Sequence, residues 1–177
     1  NSPFMQAKYG GRLVNTGIDV GAIPFHTEPG RTLVFMASKH EGKGWPYVND
    51  MAWRTGRPLR VVEGLTGRDK WQTLGAGYAM LHPTTGYAAD RAPLEAAACG
   101  VPTLCLKGDG SEYHVADGIS GFACGSRDEI VRLVATCEVS ALDRRKAREW
   151  VAETHGYEQM IDGYEELLLE VAGGGSW

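Results

Sequence analysis

Apolar positions fall into short continuous runs separated by polar, glycine-bearing stretches, and only after Ser126 does their spacing lengthen to that of helices. Thr32 to Ala37 (TLVFMA) is the first run. A strand covered on both faces reads this way, so it predicts a buried parallel strand. It empties into a polar loop, SKHEGKG, ahead of a predicted helix from Trp45 to about Arg54. Leu59 to Glu63 (LRVVE) predicts a second strand, followed by a turn and a short helix around residues 69–74, and the brief run Tyr78 to Leu81 predicts a third. Pro83 to Ala92 reads as a loop. A helix then opens with Pro93 in its first turn and closes at Gly100 and Pro102, which leaves Thr103 to Leu106 as a fourth strand. After KGDGS, a short helical piece with Glu112 leads to ADGISG and a last apolar pair, Phe122 and Ala123. Ile130, Val131, Leu133 and Val134, and later Leu167, Leu168 and Val171, have helical spacing, while GGGSW reads as a flexible tail.

Strands alternating with helices predict an α/β fold: a doubly wound parallel sheet, Rossmann-like, with helices on both faces and further helices at the C-terminus. Such sheets bind ligands in the crevice beyond the carboxyl ends of their strands. That rule gathers three loops at one edge, 38–44, 82–92 and 107–111. At 177 residues and 43% hydrophobic content, one core is expected, organised as a lead-in over 1–30, a binding domain over 31–172 and the tail over 173–177.

A formal charge of −4 argues against general affinity for nucleic acid or anionic lipid, and no stretch approaches the ~20 apolar residues of a membrane span. Cys99, Cys105, Cys124 and Cys137 form no C-x-x-C pair and read as small buried thiols of a reducing compartment, so a soluble cytoplasmic protein is expected. His26, His40, His82, His114 and His155 are scattered, and spacing alone makes none a metal ligand. No metal or other cofactor is expected.

Candidate chemistry lies in the loops. Lys39 and Lys43 stand beside Gly42 and Gly44, so a backbone able to approach closely is combined with ammonium groups that suit phosphate. Neither G-x-x-x-x-G-K-[ST] nor G-x-G-x-x-G is present, and spacing alone is equally that of a solvated basic turn. Glu95 stands in the first turn of the helix that faces the crevice. There it either answers the helix dipole or accepts hydrogen bonds from the vicinal hydroxyls of a ribose. A phosphate-seeking lysine and a hydroxyl-seeking glutamate in one crevice describe a nucleoside-diphosphate site.

NTGIDVGAIPF, the SKHEGKG loop after a strand, LHPTTGYAADRAPLEAAACGVPTLC and SEYHVADGISGF together resemble the successive landmarks of the C-terminal, donor-binding domain of family 4 glycosyltransferases, which have the two-domain GT-B fold. The likeness runs in order from about residue 9 to 170. It implies retaining, metal-independent transfer of a sugar from a nucleotide-sugar donor to an acceptor held by a separate N-terminal domain. It also implies that Lys43 holds the donor pyrophosphate and that Glu95 holds the ribose. Two positions depart from the family. Its pyrophosphate-binding arginine falls on Ser38, with Lys39 next to it as a point charge rather than a fork. Its first glutamate, near the transferred sugar, falls on Tyr87, which either faces the sugar or packs the loop. Between Lys43 and Pro83 the chain is also shorter than the family, as if one strand-helix unit were removed, and it starts at what resembles the interdomain linker. A donor-binding half of a glycosyltransferase is therefore the expected function, with a non-catalytic nucleotide-sugar binding module as the alternative. A receiver-type regulatory domain fits poorly, since no acidic pair ends the first strand.

Overall fold

The computed structural model describes residues 13–84, 90–108 and 110–174. In chain order the elements are β1 (Thr32–Phe35), α1 (Trp45–Thr55), β2 (Leu59–Val61), α2 (Gly67–Gly75), β3 (Gly77–His82), α3 (Ala92–Ala98), β4 (Thr103–Leu106), β5 (Gly121–Cys124), α4 (Arg127–Ala135), α5 (Arg144–His155) and α6 (Tyr157–Ala172). Single 3-10 turns lie at Glu41–Lys43, Ser111–His114 and Glu138–Ala141.

All strand pairs are parallel, in the order β2-β1-β3-β4-β5. Parallel strands need crossovers, and the crossover helices cover both faces of the sheet. On one face Val34, Met36 and Met80 pack with Leu74 of α2, Leu94 and Ala96 of α3, and Ala147 and Val151 of α5. On the other, Leu33, Phe35, Leu81 and Leu104 pack with Val48 and Met51 of α1 and Ile130 and Leu133 of α4. Alternate residues of one apolar run thus serve opposite layers. This is why TLVFMA shows no alternation of polar and apolar positions. β3, the central strand, is buried along its whole length and extends one residue beyond each end of the predicted run.

The order 2-1-3-4-5 is a doubly wound order whose direction of winding reverses between β1 and β3. It is also the six-strand order 3-2-1-4-5-6 without its outermost strand, as expected from the short stretch before Pro83. β2 is accordingly an edge strand and stops at Val61. Val62 still donates its N–H to the Phe35 carbonyl at 2.8 Å, but Glu63 leaves the ladder and its carboxylate accepts from the Lys39 N–H at 3.3 Å.

Residues 13–30 pack onto the domain. Val14, Ile18 and Ile23 are each 4% exposed, and the Arg148 guanidinium of α5 donates to the carbonyls of Val20, Ile23 and Ala98. One expectation needs correction. Cys99, Cys105 and Cys124 are buried, but Cys137 is exposed, because it stands in a left-handed turn (φ 59°) after α4. In α6 only Leu167 is buried. Leu168 is 59% exposed, because the domain meets one face of the helix and leaves Ile161, Tyr164, Leu168 and Leu169 outward.

Candidate functional site

The loops that follow β1, β3 and β4 leave the sheet at the same edge, as parallel strands require, and those after β1 and β3 flank the point where the winding reverses. After β1 the chain exposes Ser38, Lys39 and His40, makes the 3-10 turn and enters α1 through Gly44. The His40 Nδ1 caps the turn by accepting the Gly42 N–H at 3.1 Å. Gly44 has φ 81°, and a Cβ there would stand 2.1 Å from the Pro83 carbonyl oxygen. The room left by this glycine is therefore used by the loop after β3, and the two loops touch backbone to backbone. Lys39 lies with its Nζ 5.3 Å from the Trp45 ring centroid, and that ring in turn packs on Phe35.

The contact between the loops sets the position of Lys43. Its Nζ is 2.7 Å from Oδ2 of Asp90, and both side chains are 22% exposed. Asp90 stands just ahead of α3, where its Oδ1 accepts the Ala92 N–H at 3.2 Å. Its Oδ2 is 3.9 Å from His82 Nε2, and its carbonyl is 2.8 Å from His114 Nδ1. The His114 ring meets that of His155 edge to face at 5.6 Å. Thr84 and Ser111 share a buried hydroxyl hydrogen bond of 2.8 Å, and the Glu112 carboxylate accepts the N–H groups of Gly108 and Gly110. Glu112 thus fastens the loop after β4. Among the described residues, no group of three His, Cys, Asp or Glu is placed to hold a metal ion.

Glu95 is on the helix that Asp90 precedes, but its immediate partner is another cation. Its Oε2 is 2.7 Å from Lys70 Nζ of α2, with side-chain exposures of 15% and 21%. It also lines a cavity of about 140 Å³ with Trp71, Arg91, Ile18, Asp19 and Tyr157. The structure therefore places the predicted lysine against Asp90, just ahead of α3, and the predicted glutamate within α3 against Lys70, each in an ion pair. Tyr87 lies outside the described residues. The sequence reading passed over Asp90, His82 and Lys70. A signal for two of them existed: an aspartate just ahead of a helix can accept one of its first N–H groups, and a histidine that continues an apolar strand run shares that strand's burial.

Burial dominates the electrostatics. It pushes the His82 imidazole down to about 4 against 6.5, and the nearby Lys43 and His114 act in the same direction, while Asp90 opposes them. His155 is lowered to about 4, again chiefly by burial. For Asp90, burial raises the carboxyl, but His82, Lys43 and the Ala92 N–H together outweigh it and hold it below the usual carboxylate value. With His82 neutral near pH 7, the Lys43 ammonium is the charge that Asp90 answers there. Burial also pushes the Cys99 and Cys124 thiols up to about 12, so both are inert.

These groups respond to acid in one direction. A depressed aspartate contributes stability that is present above the ordinary carboxylate range and is lost as pH falls through the lowered value. Histidines kept neutral in the fold cost stability once the unfolded chain begins to bind their protons. The denaturant midpoint is therefore expected to fall between pH 6.5 and about 4. A midpoint level across that window contradicts the buried neutral imidazoles.

No protein-family model matches the chain, and no curated protein matches it. Solved structures do. AviGT4, a glycosyltransferase involved in avilamycin A biosynthesis, matches with TM-score 0.77 and 16% identity over 99% of this chain and 63% of its own. HepE from Anabaena, in complex with UDP-glucose, matches with TM-score 0.71 and 16% identity over 94% of this chain and 62% of its own. Sucrose-phosphate synthase from Thermosynechococcus elongatus matches with TM-score 0.80 and 11% identity over 99% of this chain and 58% of its own. This chain therefore spans about 60% of the length of these three proteins. The fold is the doubly wound, Rossmann-like α/β fold found in GT-B glycosyltransferases.

Proposed function

We propose that this domain is the donor-binding half of a GT-B glycosyltransferase of family 4, holding a nucleotide-sugar for retaining transfer to an acceptor. The observation that carries the reading is the placement of Lys43. The loop after β1 presents its ammonium, mostly buried, at the β1/β3 reversal beside the start of α3. A diphosphate there would take charge-assisted hydrogen bonds from Lys43, and Lys39 extends the positive edge. The same ammonium would stabilise the charge that builds on the leaving diphosphate as the sugar departs. HepE, whose complexes contain UDP and UDP-glucose, supports this class of ligand by likeness of fold. In this reading Ser38 offers a neutral hydroxyl where the family has an arginine. Gly42 and Gly44 shape the turn, and no metal or other cofactor takes part.

The acceptor belongs to a second, N-terminal domain. Two facts support this: the chain spans about 60% of the matched proteins, and α6 leaves Ile161, Tyr164, Leu168 and Leu169 outward as an apolar surface. No helix among the described residues is long and apolar enough to cross a membrane, and the reading places the domain in the cytoplasm. The alternative, a non-catalytic binding module, is favoured by one observation of its own: a phenol, Tyr87, stands where the family has a carboxylate. Calorimetric titration with UDP-, GDP- and ADP-sugars tests binding. Saturable binding of one base class supports both readings, and binding of none removes both.

Two substitutions refine the site. Glu95→Gln keeps size and one acceptor oxygen but removes the charge. It is expected to weaken a ribonucleotide roughly three- to tenfold more than its 2′,3′-dideoxy analogue. Equal losses would leave the Lys70 ion pair as the whole role of Glu95. Tyr87→Glu, assayed with the acceptor domain supplied, is expected to change transfer or sugar preference at nearly unchanged nucleoside-diphosphate affinity. A lowered melting temperature with unchanged preference would make Tyr87 a packing residue.

A further inference from the structure

Asp90 lies between two basic side chains and binds only one of them. Its Oδ2 is 2.7 Å from Lys43 Nζ and 3.9 Å from His82 Nε2. The rest of the residue is fixed, because Oδ1 accepts the Ala92 N–H and the carbonyl meets His114 Nδ1. Only Oδ2 has a choice of partner. His82, meanwhile, is 1% exposed, and neither of its ring nitrogens has a hydrogen-bond partner among the described residues. A buried polar group left unpaired is costly, and native structures rarely keep one without a use.

We propose that Asp90 is an exchangeable counter-ion: it holds Lys43 while the crevice is empty, and closes onto His82 Nε2 when Lys43 turns to the phosphates of a nucleoside diphosphate. This inference rests on the nucleoside-diphosphate reading above. In chemical terms no bond is made or broken beyond hydrogen bonds. The Lys43–Asp90 pair is exchanged for Lys43–phosphate and His82–Asp90, so the carboxylate released from Lys43 is not left unpaired. His82 is then a positioning residue: it touches no ligand, and it lowers the cost of releasing Lys43.

The groups facing His82 come from three elements: Asp90 ahead of α3, Lys43 from the turn after β1, and His114 from the turn after β4. Two of these disfavour a charged imidazole and one favours it. Exchange moves Asp90 closer and lets phosphate neutralise Lys43, so both changes raise the proton affinity of His82. The test follows the His82 ring by NMR as pH is varied. In the parent protein, where burial pushes the ring down to about 4, saturating UDP, or GDP or ADP if that base is preferred, is expected to raise the midpoint by about 1 to 3 pH units. Lys43→Met is expected to raise it without any nucleotide. Asp90→Asn is expected to cut the rise to the smaller part that comes from phosphate neutralising Lys43 and, because the competing carboxylate is gone, to tighten nucleotide binding severalfold.

If the protein binds nucleotide while His82 does not move, the exchange is wrong and the site stands. That titration on the parent decides the matter even if Lys43→Met fails to fold. A rise in Lys43→Met together with no response to any of the three nucleotides overturns the exchange as a ligand response, and the nucleotide reading with it.

Discussion

Lys43→Ala is expected to weaken nucleoside-diphosphate binding roughly ten- to a hundredfold, because a charge-assisted hydrogen bond contributes ~1.5–3 kcal/mol and each 1.4 kcal/mol is about tenfold in affinity. The substitution also leaves the Asp90 carboxylate, 22% exposed, without its cation, so some stability is lost with the affinity. The two effects separate by their dependence on the second site. Lys43→Ala combined with Asp90→Asn is expected to recover the stability and to leave the affinity low. Lys43→Arg keeps the charge and is expected to lose less affinity than alanine does. Parent-like binding by Lys43→Ala, measured by calorimetry on folded protein, would remove Lys43 from the site.

The largest expected effect on stability belongs to Gly44→Ala. Two independent penalties act there: a left-handed backbone, φ 81°, and a Cβ that would stand 2.1 Å from the Pro83 carbonyl oxygen. Neither atom of that contact is the end of a flexible side chain, so the loops after β1 and β3 must move apart. A loss of about 3 kcal/mol is expected, which for a domain of this size lowers the melting temperature by roughly 6–12 °C. Gly56→Ala provides the control. It has φ 66° at the end of α1 and nothing within 4 Å of the added Cβ, so it pays the backbone penalty alone. Equal losses at the two glycines would show that the loop contact contributes nothing. Because the contact also sets Lys43 against Asp90, Gly44→Ala is expected to lower nucleotide affinity as well, and Gly56→Ala is not.

The sheet was legible because it is covered on both faces. TLVFMA, residues 32–37, and Thr103 to Leu106 show their burial as unbroken apolar runs, and the helix between the third and fourth strands is bracketed by Pro93 and Gly100. β2 was overextended by two residues because Val62 is apolar, buried and still bonded to Phe35, although the strand itself stops at Val61. The outward face of α6 was not legible at all. Leu167 and Leu168 are equally apolar in sequence, and only the choice of packed face, the one on which Met160 and Gly163 meet Gly17 and Val14, decides which of them is covered.

The site was half legible for a similar reason. Lys43 and Glu95 carry a chemical signature in their residue type and local motif, so both stood out. Their partners did not, since the Lys43–Asp90 pair spans 47 positions and the Lys70–Glu95 pair joins different helices. Ion pairs across a sheet edge depend on strand order, which local spacing does not encode. His82 shows the same limit. Its burial follows from its strand, but its lack of a partner follows only from what the neighbouring loops place around it.

The central claim is that a nucleoside diphosphate binds at the β1/β3 reversal, between the loops that carry Lys43 and Asp90. Backbone amide shifts of the labelled domain, followed while UDP, GDP and ADP are titrated in turn, test it most directly. The account predicts saturable shifts for at least one of the three, concentrated at residues 38–44, at Asp90 and along the first turn of α3 through Glu95. Shifts that saturate elsewhere, or none with any of the three, would contradict it.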